Sequence, residues 1–149
     1  MSQNTALPLA IVLVEDNPDD EELTLAALDE YRLRNPVVVL RDGQEAIDYL
    51  FRQGTYAQRT SAQPHLILLD LKLPKVDGLE VLRMIKADSQ LRRIPVVVLT
   101  SSREEADVIT GYDLGANSYI VKPIDFEQLI TTVRTIGSYW LIVNEHPPV

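Results

Sequence analysis

The sequence predicts an α/β fold built on one parallel sheet. Three observations carry the prediction. Short aliphatic runs alternate five times with longer amphipathic segments. Most of those runs are continuous Val, Ile and Leu, as in parallel strands covered on both faces. Gly, Pro, Asp-Gly and Asn-Pro stand at the joins. Repeated strand–helix alternation implies right-handed crossovers within a single sheet.

Taken in order, the first strand is expected over Leu9–Val14. Asn17-Pro18 then reads as an N-cap with proline at the first helical position, opening a helix over Pro18–Tyr31. Val37–Leu40 is the second strand, and Asp42-Gly43 marks the turn into a helix over Gln44–Gln53. Gly54 to Gln63 is rich in Ser, Thr and Gln and reads as an extended surface loop. The third strand is Leu66–Leu69, and Asp77-Gly78 precedes a helix over Leu79–Asp88. Val96–Leu99 is the fourth strand, Arg103–Leu114 a helix closed by Gly111 or Gly115, and Ser118–Val121 the fifth strand. The last helix, Phe126–Tyr139, carries Phe126, Leu129, Ile130, Val133, Ile136 and Trp140 at helical spacing. Residues 1–8 and 141–149 are expected to be tails around one domain over residues 9–140. Pro147-Pro148 cannot continue a helix.

Composition narrows the function classes. The 149 residues suffice for one domain with a hydrophobic core. No apolar run approaches the ~20 residues that cross a bilayer. The Leu9–Val14 run lacks the flanks of a signal peptide, so no membrane role and a cytoplasmic location are expected. The chain has no cysteine, which excludes disulfides and thiolate metal sites. Fourteen basic against twenty-two acidic residues give a formal charge of −8, which argues against direct nucleic-acid binding.

Six carboxylates crowd between Glu15 and Glu22. Asp19, Asp20, Glu21 and Glu22 fall in the first turns of a helix, where the macrodipole favours anions. Glu15 and Asp16 do not, because they end the first strand. In an open α/β sheet, ligands bind beyond the carboxyl ends of the strands. There the sequence places Glu15 and Asp16, then Asp70, then Thr100, Ser101 and Ser102, then Lys122-Pro123. Three close carboxylates cannot all stay ionised without a cation. With no Cys and no paired His, a hard oxygen-bound ion such as Mg²⁺ fits better than zinc. A carboxylate beside such an ion and a lysine can act as nucleophile toward phosphorus, with the amine and a hydroxyl stabilising the transferred oxygens.

The motifs VEDNP, LILLDLKLPKVDG, VVVLTSS and GANSYIVKPI, in this order and each at a strand end, resemble the receiver domain of bacterial response regulators, the CheY-like family. The resemblance covers about Leu9 to Gly137. It implies a doubly wound, flavodoxin-like (βα)5 receiver with strand order 2-1-3-4-5. It implies Asp70 as phosphate acceptor, Asp16 as a direct Mg²⁺ ligand, Glu15 acting through water, and the Lys72 backbone carbonyl as a further ligand. It also implies that Lys122 pairs with the acceptor and then its phosphoryl group, that the Lys122–Pro123 bond is cis, and that Thr100 and the Ser101 backbone N–H contact the phosphoryl group. Tyr119 would be the switching aromatic that follows Thr100.

DNPDD, the long loop after YLFRQG, and DLKLPKVDGLEVLRMIK are most similar to the small response regulators paired with cyanobacterial phytochromes. The resemblance thus implies a stand-alone, phosphorylation-biased switch. Its partners would be a sensor histidine kinase, such as a bacterial phytochrome, and a downstream protein. Two departures stand out: Glu15 where many members carry Asp, and Lys72 and Ser102 at positions that shape water attack on the phosphoryl group.

Three rival readings remain. Haloacid-dehalogenase-like phosphotransferases usually carry an acid two residues after the nucleophile, where this chain has Lys72. A docking scaffold would not need the acids, Thr100 or Lys122. A nucleotide-binding domain would need a Gly-rich loop after the first strand. The aromatic and aliphatic segment SYWLIV, Ser138–Val143, suggests a symmetric dimer through the fourth helix, fifth strand and fifth helix. Its expected signature is concentration-dependent sedimentation at micromolar protein, and monomer alone would remove it. His65 and His146 are expected at the surface.

Overall fold

A computed structural model describes residues 10–30, 35–101, 103–104 and 116–137. Five parallel strands form one sheet in the order β2-β1-β3-β4-β5, the 2-1-3-4-5 arrangement that the resemblance implies. The strands are β1 (Ile11–Val14), β2 (Val37–Leu40), β3 (Leu66–Asp70), β4 (Val96–Thr100) and β5 (Ser118–Val121). Both β3 and β4 run one residue further than the aliphatic pattern alone predicts. Leu71 N–H donates to Leu99 O at 3.2 Å and Lys122 N–H to Thr100 O at 2.8 Å, so the ladder continues through the polar ends.

Helices α1 (Pro18–Glu30), α2 (Gly43–Leu50), α3 (Gly78–Ala87) and α4 (Phe126–Gly137) cover the sheet. Alternate strand residues feed two apolar layers. Val12, Val14, Ile67, Leu69, Val96 and Val98 pack with Ile47, Leu50, Val81, Leu82 and Ile85 of α2 and α3. Ile11, Leu13, Leu66, Leu68, Val97, Leu99 and Ile120 pack with Ala27 and Leu28 of α1 and with Leu129, Ile130 and Val133 of α4. With both faces covered, the strands need no polar side, which is why they read as continuous aliphatic runs.

Asn17 caps α1, its Oδ1 accepting from Asp19 N–H at 2.9 Å and Asp20 N–H at 3.0 Å. Asp42 caps α2, accepting from Glu45 N–H at 2.7 Å. Helix α2 stops at Leu50, short of the expected Gln53, because Arg52 turns left-handed at φ 52. Gln53 N–H then reaches Asp48 O and Arg52 N–H reaches Tyr49 O, the two bonds of a Schellman end.

The segment after it is the surface loop its composition suggests, opened by a short turn and tied down by side chains. Gly54–Tyr56 forms a 3-10 turn, and the Arg59 guanidinium lies 4.0 Å from the Tyr49 ring centroid. Arg59 Nε donates to Tyr49 O at 2.9 Å and its Nη2 to Gln63 Oε1 at 2.6 Å. Tyr56 stacks edge-on against Tyr49 and donates to Glu45 Oε2 at 2.8 Å. His65 is half-buried rather than at the surface, and desolvation lowers its pKa.

The Arg103–Leu114 helix beyond Glu104, Ser102, both tails, His146 and the Ser138–Val143 segment lie outside the described residues. No helix among the described residues is long and apolar enough to cross a membrane.

Candidate functional site

The strand register explains why residues far apart in sequence meet. Val14 pairs with Leu69, so Glu15 and Asp70, each one residue on, lie side by side. Asp70 pairs with Leu99 and Thr100 with Val121, which places Thr100 and Lys122 on the same edge. A cleft of about 510 Å³ opens there, lined by Asp16, Asp20, Asp70, Lys72, Ser101 and Lys122 among others. The Lys122–Pro123 peptide is cis, as the resemblance implies.

Lys122 is the hub. Its Nζ lies 2.8 Å from Asp20 Oδ2, 2.9 Å from Glu15 Oε1 and 3.1 Å from Asp70 Oδ2. Burial disfavours the ammonium, but these three carboxylates outweigh it and raise the Lys122 pKa, so the side chain stays charged. Asp70 is almost fully buried, and its Oδ1 accepts from the Lys72 backbone N–H at 3.1 Å.

Glu15 is wholly buried. Its Oε1 sits at ion-pair distance from Lys122 without the angles of a hydrogen bond. It is therefore left as a buried oxygen with no hydrogen-bond donor. One oxygen from each of Glu15, Asp16 and Asp70 lies within 4.8 Å of the others. Three carboxylates without sulfur or imidazole, one of them holding unspent lone pairs, fit a hard divalent cation.

The Glu15 carboxyl is pushed up to about 8, first by burial and then by the neighbouring Asp70 carboxyl, against the opposing pull of Lys122. Near pH 7 the metal-free site therefore keeps a proton that a cation must expel. Mg²⁺ affinity is expected to rise with pH until about 8 and then level off, read by calorimetric titration in two buffers of different ionisation enthalpy. The stability sign follows. A carboxyl whose folded pKa lies above its unfolded value contributes most at low pH and loses that contribution as pH rises through about 8. Metal-free protein should melt lower at pH 8.5 than at pH 6, and Mg²⁺ should narrow the gap. A pH-independent affinity would refute the protonated Glu15.

Of the residues expected from sequence, Glu15, Asp16, Asp70, Thr100, Ser101 and Lys122 all stand at this edge, and the Lys72 backbone touches Asp70. Thr100 is buried and Ser101 exposed. Tyr119 is half-buried on β5 and packs against the α2–α3 layer. Sequence reasoning missed Asp20. The helix macrodipole sufficed to explain an acid there, and only its place in the first turn of α1, just beyond Glu15 and Asp16, hinted at the cleft.

A family model for the response regulator receiver domain matches residues 11–134. The response regulator Rcp1 of Synechocystis sp. is 45% identical over 141 residues, 95% of each chain. The solved structure of its Mn²⁺-bound form aligns at TM-score 0.75 and 44% identity, covering 95% of this chain and 100% of that one. The bacteriophytochrome response regulator RtBRR aligns at TM-score 0.86 and 51% identity, covering 95% of this chain and 86% of that one. The phosphorylated cyanobacterial phytochrome response regulator RcpA aligns at TM-score 0.74 and 47% identity, covering 90% of this chain and 94% of that one.

Proposed function

The chain belongs to the response regulator receiver family, and from that premise we propose that it accepts a phosphoryl group on Asp70 from a phosphohistidine of a sensor histidine kinase. The observation that carries this is the placement of Asp70, held at 3.1 Å by both Lys122 Nζ and the Lys72 N–H on the floor of an acid-lined cleft.

An Asp70 carboxylate oxygen attacks phosphorus. The bond from phosphorus to the imidazole nitrogen breaks and its electron pair stays on the ring, leaving an acyl phosphate on Asp70. Lys122 moves from the carboxylate to a phosphoryl oxygen, and the Thr100 hydroxyl and Ser101 N–H donate to the others. A Mg²⁺ ion held by Asp16, Asp70, the Lys72 carbonyl and, through water, Glu15 would neutralise charge on the incoming group. The new group adds about −1.5 to −2 charge where Thr100 ends β4. That charge biases a two-state surface, with Tyr119 reporting the movement, toward a downstream protein. The protein is on this reading a cytoplasmic switch that modifies itself, not a turnover enzyme.

A bacterial phytochrome is the proposed kinase. Support comes from the similarity to RtBRR, a bacteriophytochrome response regulator, and to RcpA, a cyanobacterial phytochrome response regulator solved in its phosphorylated form.

Incubation with Mg²⁺ and acetyl phosphate should add one phosphoryl mass to the intact protein, lost completely in Asp70→Asn. No adduct on the wild type would favour a scaffold, and sustained hydrolysis of small phosphate esters would favour an enzyme.

A further inference from the structure

We infer that Asp20 is a positioning residue that holds the Lys122 ammonium when the other two carboxylates are taken from it. The inference rests on the phosphoacceptor reading and deepens it. Lys122 lies at ion-pair distance from three carboxylates, of which Asp20 is the nearest at 2.8 Å, and it donates a hydrogen bond to Asp70. Glu15 and Asp70 belong to the oxygen cluster that suits a divalent cation, and Asp20 does not. A cation bound to that cluster draws on the same two carboxylates and repels the ammonium. Among the described residues, Asp20 is then the one carboxylate still paired with the ammonium.

The backbone of Asp20 is built to stay in place. Its N–H is fixed by the Asn17 cap at 3.0 Å, and its carbonyl accepts from Thr24 Oγ1 at 2.8 Å. Asp20 thus tethers a half-buried ammonium at the cleft wall, within reach of a phosphoryl oxygen on Asp70.

The test compares Asp20→Asn with Asp19→Asn, which removes the same charge from the same helical turn at an exposed position outside the cleft lining. At saturating Mg²⁺, Asp20→Asn should slow Asp70 phosphorylation by acetyl phosphate roughly tenfold, the scale of one close, partly buried ion pair. Asp19→Asn should stay within about twofold, and Asp20→Glu should recover most of the loss. Without phosphodonor, calorimetric titration should show Mg²⁺ binding weakened more by Asp20→Asn than by Asp19→Asn, because the untethered ammonium falls back on Glu15 and Asp70. Both differences should vanish in a Lys122→Ala background.

Equal effects of the two single variants, or an Asp20→Asn effect that persists without Lys122, would overturn the inference. A wild type that takes no phosphoryl group would instead overturn the phosphoacceptor reading. The Mg²⁺ titrations would still decide the role of Asp20.

Discussion

Lys122→Ala is expected to slow Asp70 phosphorylation by on the order of a hundredfold or more, the scale of removing one preorganised donor from a transferring group. The same variant is expected to bind Mg²⁺ more tightly than the wild type. These two results pull in opposite directions, and the geometry requires both. In the metal-free protein the Lys122 ammonium pairs with Glu15 and Asp70, two of the three carboxylates that a cation would draw on. Removing it leaves Asp16, Asp20 and Asp70 lining one cleft beside the buried Glu15, with Lys72 as the one positive side chain among the described lining residues.

A buried pair broken on one side costs about 3–5 kcal/mol when the remaining charge stays ionised. Glu15, pushed up to about 8, already holds its proton near pH 7 and adds little to that cost, which falls on the other carboxylates beside Lys122. Lys122→Ala should therefore melt below the wild type without metal and recover more than the wild type when Mg²⁺ is added. Thermal melts with and without Mg²⁺, set beside acetyl phosphate kinetics, measure both arms. Slower phosphorylation with unchanged or weaker Mg²⁺ binding would mean that Lys122 does not compete for the carboxylates.

The parts of this site that were legible in the sequence are those that depend on strand ends. Glu15, Asp16, Asp70, Thr100 and Lys122 each follow an aliphatic run, and parallel strands in register bring their ends to one edge. The illegible parts depend on contacts between segments. Nothing in the polar stretch Gly54–Gln63 signals that Arg59 will tie Tyr49, Ser61 and Gln63 together, because composition reports solvation and not partners. Arg52 ends α2 in a left-handed conformation usually left to glycine, so the pattern overran the helix. Asp20 escaped notice because a sufficient local explanation hid a distant partner.

The glycines around the loop after Asp70 are a third case, and they set the second large prediction. Gly78 N–H donates to Leu71 O at 2.9 Å, which draws the start of α3 against the end of β3. A Cβ on Gly78 would meet the Asp70 carbonyl oxygen and lie 2.6 Å from Leu71 Cα and 2.8 Å from Leu71 O. Every one of those atoms is backbone, so none can swing aside. At the far end of the same loop, Gly43 N–H donates to Pro74 O at 3.1 Å, and a Cβ there would meet the Val76 carbonyl. Between them Lys75 takes φ 70 with Val76 N–H on Pro74 O at 2.8 Å, a γ-turn of the strained positive-φ kind. The two glycines therefore clamp the loop that delivers the Lys72 N–H to Asp70.

Gly78→Ala must push the Asp70–Leu71 backbone or α3 outward. Overpacking of this kind costs about 1–3 kcal/mol, which in a chain of this size lowers the melting temperature by roughly 2–10 °C. Because the displaced atoms include the acceptor's own carbonyl, the rate should fall further than stability alone requires, by about tenfold to a hundredfold. Gly43→Ala strains Val76, six residues beyond Asp70, and should match the melting loss with a smaller loss of rate. Acetyl phosphate kinetics measured well below each melting point separate the two effects. Equal rates for Gly78→Ala and Gly43→Ala at matched stability would show that the close approach of α3 secures the fold without positioning the acceptor.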